Sequence, residues 1–168
     1  MNKFSHRAMF LSAFIITASM LSITFYLQNY DGFVPCPLCI LQRMTLGILS
    51  IIFFFGGVLP IKKMGNIFLS VSASLVTLIG MILSGRQVWL QHLPPDKNAD
   101  CGVSLQYLLN VLPFDQVISK IFQGTAECSQ KGWEFLHLSL AEWSLICFVG
   151  LFIFCVFIIF YRRLSPLL

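Results

Sequence analysis

The stretch that decides the fold of this chain reads VPCPLC at residues 34–39, and the strongly apolar segment 40–59 follows it directly. A Cys-x-x-Cys pair is typical of a redox-active dithiol or of half a metal site. Here Cys36 and Cys39 lie at the predicted start of a membrane helix, where water meets lipid. From that position they can reach thiols in solution and lipid-soluble electron carriers. The arrangement favours redox chemistry.

The composition indicates a membrane protein. The chain has 168 residues, of which 57% are hydrophobic and 11% are charged, whereas an ordinary soluble domain carries about 25% charged residues. A membrane-spanning helix needs about 20 apolar residues and satisfies its own backbone hydrogen bonds. Four segments meet this requirement, namely 8–27, 40–59, 67–84 and 144–161. We therefore predict an all-α fold, a polytopic four-helix transmembrane bundle that forms a single membrane domain over residues 1–168.

The first apolar segment has an alternative interpretation as a signal peptide, because Lys3 and Arg7 precede it. A signal peptide has an apolar core of about 7–15 residues, followed by a cleavage site between small residues. The segment 8–27 is longer than that, and no such site follows Tyr26. We therefore interpret this segment as the first membrane helix.

The distribution of charge predicts the orientation of the chain. The segments before the first span, between the second and third spans and after the fourth hold six basic residues and no acid: Lys3, Arg7, Lys62, Lys63, Arg162 and Arg163. All seven acids lie in the two other loops, about 28–39 and 85–143. Basic residues favour the cytoplasmic side, so we predict cytoplasmic termini and two outward-facing loops. Because the positive charges follow topology in this way, the net charge of +4 does not indicate binding of nucleic acid.

Cys36 and Cys39 lie on the predicted outer side, where disulfides form and persist. A zinc site usually needs four close ligands, and the chain has no second Cys-x-x-Cys and no outer histidine at ligand spacing. We therefore predict no metal. A purely structural bridge is the other alternative, although closing a loop of two residues removes little entropy from the unfolded chain.

Cys101 and Cys128 also lie on the predicted outer side, 27 positions apart in the long loop. Taken alone, they favour a structural disulfide, worth about 3–4 kcal/mol in the chain-entropy model. Beside an exchange-active Cys36–Cys39 pair on the same side, they favour a relay in which two dithiols exchange partners.

Arg43 follows Cys39 by four residues and so lies on the same helix face, one turn deeper. The start of a helix stabilises a thiolate through its unpaired N–H groups and its dipole, and a guanidinium adds a second positive charge. An arginine at mid-bilayer costs about 2.5–3.5 kcal/mol, which makes a retained charge a candidate for function. The alternative is that Arg43 merely extends to lipid headgroups.

The long loop contains a predicted surface helix at residues 113–122. Apolar residues recur there at helical spacing, with polar residues between them, which is typical of a short interfacial helix lying on the membrane. Such a helix would keep Cys101 and Cys128 close to the Cys36–Cys39 pair. The alternative is an amphipathic helix that serves packing alone.

Other residues near the spans give weaker indications. Gln87, Gln91 and His92 could form hydrogen bonds with a polar carrier headgroup, but any interfacial loop offers such groups. Cys147 and Cys155 lie within the fourth apolar segment. We predict that both act as small apolar side chains, because buried cysteine behaves as a hydrophobe.

Several of these motifs match a known family over nearly the whole chain. They are PCPLCILQR at 35–43, GRQVWLQH at 85–92, Cys101, Cys128 and WEFL at 133–136. With this spacing the chain resembles the DsbB-type disulfide bond formation proteins. These are oxidases of the bacterial inner membrane that recharge the periplasmic thiol oxidase DsbA.

The resemblance implies a reaction and a role for each matched residue. It implies a multi-pass inner-membrane protein, with its active cysteines on the periplasmic side, that takes electrons from DsbA and gives them to ubiquinone or menaquinone. By position, Cys101 is the cysteine attacked by reduced DsbA, and Cys128 is its disulfide partner. Cys36 and Cys39 form the quinone-linked pair, in which Cys39 contacts the quinone and Arg43 supports that contact.

A membrane scaffold or assembly factor with two inert outer disulfides is the alternative function. Arg43 discriminates between the two, because an inert bridge has no need of a charge one turn into the membrane helix.

Overall fold

The computed structural model of the chain describes residues 3–31, 36–60, 63–93, 110–111, 113, 116 and 134–164. Within these residues the ordered elements are α1 (Lys3–Asp31), α2 (Pro37–Val58), α3 (Lys63–His92), β1 (Glu134–Phe135), β2 (Leu138–Ser139) and α4 (Leu140–Leu164). All four helices are long and apolar enough to cross a membrane, which confirms the predicted four-helix membrane bundle. The predicted surface helix at 113–122 falls almost wholly outside the described residues.

The helices pack in chain order, with α1 against α2, α2 against α3 and α3 against α4. Their shared core is apolar and includes the fully buried rings of Phe10, Phe53 and Phe148. Many large apolar side chains point away from this core, among them Ile15, which is 62% exposed. A surface of this kind is expected where lipid rather than water surrounds the helices.

Small residues allow the helices to approach closely. A methyl group added at Gly56 would overlap the ring of Phe10, and one added at Gly80 would overlap the ring of Phe148. Buried hydroxyls add polar contacts between helices, since Ser50 donates a hydrogen bond to Thr17 at 3.0 Å. Both features are typical of helix packing in membranes, where small residues permit van der Waals contact and hydroxyls bond across the interface.

The helices extend further than the predicted spans, so the predicted loops begin and end within helical turns, and the membrane boundaries stay a prediction. The prediction begins the long loop at residue 85, but α3 continues to His92. It also ends the first span at 27 and begins the fourth at 144, whereas α1 runs to Asp31 and α4 begins at Leu140. The predicted spans followed hydropathy alone, and single charged residues such as Arg86 and Glu142 ended them before the helices end.

A short hairpin leads into α4 and was absent from the prediction. Its strands pair Glu134 with Ser139 and Phe135 with Leu138. The turn between them consists of Leu136 and His137, which both have positive φ angles of 55° and 64°. Two consecutive residues in this conformation match the right-handed twist of the strands they join.

Ser139 connects this hairpin to α4 as a capping box. Its backbone N–H donates to Glu142 Oε2 at 2.7 Å, and the Glu142 N–H lies 3.3 Å from Ser139 Oγ. The reciprocal pair satisfies N–H groups that the first turn of a helix leaves without partners. Trp143 Nε1 also donates to the Phe135 carbonyl at 3.1 Å, which holds the hairpin against the first turn of α4.

Candidate functional site

The N-terminus of α2 positions the two cysteines of the VPCPLC motif. Cys36 is the N-cap residue, with φ −65° and ψ 161°, and the Cys39 N–H donates to Cys36 Sγ at 3.4 Å. Pro37 occupies the first turn, where its missing N–H costs no hydrogen bond and its fixed φ suits the helix. The motif therefore builds a helix start in which a cysteine sulfur takes the role that a serine or aspartate oxygen usually has.

The two sulfur atoms are close enough for disulfide chemistry. Cys36 Sγ and Cys39 Sγ lie 2.9 Å apart, and a disulfide bond is about 2.05 Å long, so only small side-chain movements separate the two arrangements. Cys36 is 2% exposed and Cys39 is half-buried. Both lie at the positive end of the α2 dipole, which stabilises a thiolate.

A cavity of about 270 Å³ adjoins both cysteines. All four helices and the hairpin contribute to its wall, which is largely apolar at residues such as Met20, Leu46 and Leu140. Polar side chains, Arg43 among them, are fewer. A largely apolar wall with a few placed polar groups is the usual composition of a site for a small molecule.

Arg43 lies at the wall of this cavity and is held there by α1. Its guanidinium donates to Gln28 Oε1 and, at 3.2 Å, to the Thr24 carbonyl oxygen. Its Cζ also lies 5.4 Å from the centre of the Phe25 ring, within the range of a cation–π contact. Arg43 and Cys39 line the same cavity, on the side where their helical spacing predicted them to lie together.

Two buried glutamines continue the polar side of the site. Gln42 is 6% exposed and Gln87 is 5% exposed. Gln42 Nε2 donates to Gln87 Oε1 at 2.7 Å, and Gln87 Nε2 lies 3.1 Å from Cys39 Sγ and 3.6 Å from Cys36 Sγ. From α4, Ser144 Oγ lies 3.1 Å from Gln42 Oε1. The two amides and the Ser144 hydroxyl thus form a series of contacts that runs from α4 through α2 and α3 to the cysteine pair.

Gln42 was not predicted as a site residue, and Gln87 was named only as one of several possible hydrogen-bond partners of a carrier headgroup. A signal for Gln42 was present, because it is an amide within an apolar span, three residues after Cys39, and polar groups inside a span are candidates for function. Gln87 was assigned to a loop, and only the extension of α3 reveals that it reaches the cysteines.

A second polar cluster joins the end of α3 to the start of α4. Ser139 Oγ donates to Gln91 Oε1 at 2.7 Å, and His92 Nε2 lies 3.7 Å from Glu142 Oε1. Gln91 lines the cavity, while His92 is exposed. These contacts fix the rim of the cavity on the side of α4.

The remaining predicted cysteines divide into two groups. Cys147 lines the cavity and Cys155 is a fully buried member of the core, where it packs as a small apolar side chain. Cys101 and Cys128 lie outside the described residues, so their pairing stays a prediction. Among the residues that the structure describes, no group of three or more His, Cys, Asp or Glu side chains could hold a metal ion.

The matches between this chain and known proteins point to one family. A sequence model of the family "Disulfide bond formation protein DsbB" matches residues 6–158. The chain is 40% identical over 157 residues to disulfide bond formation protein B of Acinetobacter baylyi, with 88% of each chain covered. The protein of the same name from Stutzerimonas stutzeri is 34% identical over 152 residues, which cover 90% of this chain and 93% of that protein. The chain therefore belongs to the DsbB family of disulfide bond formation proteins and is a multi-pass membrane oxidoreductase.

Proposed function

We propose that this protein reoxidises a DsbA-like periplasmic thiol oxidase and passes the electrons to ubiquinone or menaquinone in the bacterial inner membrane. The observation that carries the proposal is the position of the cavity. It adjoins the Cys36–Cys39 pair, it has a largely apolar wall, and Arg43 lies in that wall. An inert disulfide in a scaffold protein needs neither the cavity nor the charge.

The residues around the cavity fit a quinone. Apolar walls suit its ring and isoprenoid chain, and hydrogen-bond donors suit its carbonyl oxygens. Cys39 and Arg43 would hold the headgroup, because both line the cavity and Arg43 carries guanidinium N–H donors. A bound quinone supplies an acceptor for two electrons and two protons, which balances the oxidation of one dithiol to one disulfide.

The residues of the chain make the cysteine pair reactive. A thiolate, not a thiol, is the nucleophile in disulfide exchange. The N-terminus of α2 favours negative charge at Cys39, and the guanidinium of Arg43 in the same cavity wall adds to that effect. Because the site is partly buried, these interactions are screened less than they would be in water.

Cys101 and Cys128 complete the route in our proposal. The dithiol of DsbA is oxidised to a disulfide while the Cys101–Cys128 disulfide is reduced to a dithiol, which in turn reduces Cys36–Cys39. DsbA has a reduction potential of about −120 mV, so the final acceptor has to be at least comparably oxidising. The DsbA–DsbB–quinone route is an established example of how the periplasm is kept oxidising.

The placement of the site on the periplasmic side rests on charge. The basic residues of the three inner segments and the acids of the two loops follow the positive-inside rule. Cys36 at the start of α2 then faces the periplasm, the compartment in which DsbA acts.

Turnover with purified components tests the proposed function. We expect the protein in lipid nanodiscs to oxidise reduced DsbA and to reduce added ubiquinone in a one-to-one ratio. The matched control is Cys39→Ser, which removes the redox pair with a change of one atom and should keep the fold. Folded wild-type protein that leaves both DsbA and quinone unchanged would contradict the proposal and favour a scaffold.

Trapping of the partner tests the role of Cys101. A DsbA variant that lacks its resolving cysteine cannot complete the exchange, so we expect it to accumulate as a mixed disulfide with Cys101. Cys101→Ser should abolish the trapped species, which gel electrophoresis without reductant detects. Capture of Cys101→Ser as efficiently as the wild type would show that another cysteine receives the attack.

A further inference from the structure

Gln87 directs its side-chain amide at the two cysteines of the site. We propose that Gln87 is a catalytic residue whose N–H groups stabilise a thiolate at Cys39, and that Gln42 is the positioning residue that sets the orientation of this amide. The inference rests on the proposed redox role of the Cys36–Cys39 pair and adds a second source of thiolate stabilisation to that of Arg43.

The hydrogen bonds of the glutamine pair determine which end of the Gln87 amide faces sulfur. Gln42 Nε2 donates to Gln87 Oε1 at 2.7 Å, so the carbonyl end of Gln87 is already occupied. Its NH₂ end therefore points to the cysteines, at 3.1 Å from Cys39 Sγ and 3.6 Å from Cys36 Sγ. With two N–H groups, one amide can serve both sulfur atoms.

A hydroxyl of a third helix lies beside the side chain of Gln42. Gln42 Oε1 lies 3.1 Å from Ser144 Oγ, a hydroxyl that also lies 2.8 Å from the Ala141 carbonyl oxygen. The orientation of the Gln42 amide, with oxygen towards α4 and nitrogen towards α3, fixes that of Gln87. Reversing one amide would place two carbonyl oxygens or two NH₂ groups face to face, so the pair acts as a unit.

Because Gln87 is buried, its amide depends on the cysteine sulfur as a hydrogen-bond acceptor. Both glutamines are more than nine-tenths buried, and a buried amide that lacks a partner is costly. A thiolate is a much better hydrogen-bond acceptor for that amide than a neutral sulfur, because bonds to charged groups are the stronger ones. The site therefore favours the charged state of Cys39 through the need of Gln87 for an acceptor.

Arg43 and Gln87 act on Cys39 in different ways. The hydrogen bonds described for the Arg43 guanidinium go to Gln28 and Thr24 on α1, whereas Gln87 Nε2 is within hydrogen-bond distance of sulfur. Arg43 supplies positive charge at the cavity wall, and Gln87 supplies direct hydrogen bonds. Loss of Gln87 should therefore change the reactivity of Cys39 even when Arg43 is intact.

Alkylation of Cys39 tests the proposal without turnover. In a Cys36→Ser background we expect Gln87→Met, which keeps the length but removes the donor, to raise the midpoint of the pH–rate profile of iodoacetamide alkylation by about one pH unit. Below the midpoint the tenfold loss of thiolate is partly offset by higher nucleophilicity, so the rate should fall about three- to fourfold. Mass spectrometry of the Cys39 peptide separates this reaction from that of the other cysteines.

Ser84→Ala is the matched structural control. Ser84 is a fully buried residue of α3, one turn before Gln87, and its hydroxyl donates to the Gly80 carbonyl without reaching the cysteines. This variant should leave the alkylation profile unchanged. An equal shift in Ser84→Ala, or no shift in folded Gln87→Met, would overturn the role of Gln87.

A double-mutant cycle tests the positioning role of Gln42. We expect Gln42→Met to give part of the shift of Gln87→Met, and the double variant to give no more than Gln87→Met alone, because residues in one hydrogen-bond network are not additive. Additive shifts would show that Gln42 does not act through Gln87.

The reduction potential of the Cys36–Cys39 pair gives a second measurement. Since Gln87 stabilises the reduced, thiolate-bearing form, a tenfold loss of that stabilisation should lower the potential by about 30 mV in a chain with both cysteines intact. An unchanged or higher potential would contradict the proposal. These measurements on the Gln87 variants are separate from the test of the proposed function. That function is contradicted if the wild-type protein fails to turn over DsbA and quinone, whatever the alkylation profile shows.

Discussion

The two halves of the bundle are built differently along the helix axes. At the cysteine end, where α2 begins, Cys39 adjoins a cavity, and the buried amides of Gln42 and Gln87 complete its polar side. In the packed half, rings such as Phe53 and Phe148 fill the interior and are at most 1% exposed. The difference fits the proposed chemistry at one end of the bundle and close helix packing at the other. Substitutions should therefore separate activity from stability.

The largest expected contrast is between one cysteine from each half. Cys39→Ser should reduce quinone-dependent turnover to the rate without protein, because the redox pair is lost, while the thermal midpoint stays close to that of the wild type. Cys155→Ala removes a buried sulfur from the core, so it should lower the thermal midpoint and retain turnover. Turnover and thermal unfolding of both variants in the same lipid test this, and an active Cys39→Ser would refute the division.

Arg43 gives a smaller contrast within the cysteine end. A hydrogen bond to a charged group contributes about 1.5–3 kcal/mol, so Arg43→Ala should lower kcat/KM for quinone by roughly ten- to a hundredfold. Arg43→Lys should retain part of the activity, since charge survives while the planar guanidinium is lost. Kinetics with varied quinone at fixed DsbA measure the effect. Unchanged quinone kinetics in folded Arg43→Ala would restore the alternative that Arg43 only reaches for lipid headgroups.

Two glycines test the close packing of the helices: Gly80, which faces Phe148 in the packed half, and Gly47, which follows Leu46 of the cavity wall. A Cβ at Gly80 would overlap the Phe148 ring, whereas a Cβ at Gly47 meets nothing within 4 Å. Gly80→Ala should therefore cost about 1–3 kcal/mol of stability through overpacking. Gly47→Ala should be neutral or stabilising by up to about 1 kcal/mol, because alanine favours the helix. Thermal unfolding in detergent compares them, and equal midpoints would show that the close approach at Gly80 contributes little.

The smallest expected effect concerns the cap that begins α4 beside the cavity. Ser139→Ala removes the N-cap oxygen and should destabilise the first turn of α4 by about 1 kcal/mol. Faster hydrogen exchange at residues 140–143 would report it. Ser22→Ala, at an exposed position within α1, is the control and should leave that exchange unchanged. Equal exchange in Ser139→Ala and the wild type would show that the hairpin alone holds the turn.

The sequence predicts the bundle well because lipid imposes a simple rule. Apolar segments of about 20 residues have to be helices, and all four were found. The ends of the helices were predicted less well, since hydropathy does not report polar helical turns. Local signals were present, namely Ser139 and Glu142 at capping-box spacing and Pro94 after α3.

The candidate site was predictable in part. The spacing of Cys36, Cys39 and Arg43 follows from one helix, so their shared position at the cavity could be inferred from helical geometry. The pairing of Gln42 with Gln87 joins residues 45 positions apart on two helices. No local pattern encodes such a contact, which depends on how α3 packs against α2.

A single-turnover experiment tests the central claim most directly, namely that the Cys36–Cys39 pair passes electrons to quinone at this cavity. The Cys101→Ser/Cys128→Ser variant is reduced, freed of reductant and mixed with ubiquinone in nanodiscs without DsbA. We expect one quinone to be reduced for each Cys36–Cys39 disulfide formed, measured by quinone absorbance and by thiol counting. Quinone that stays oxidised beside a folded, reduced Cys36–Cys39 pair would contradict the account.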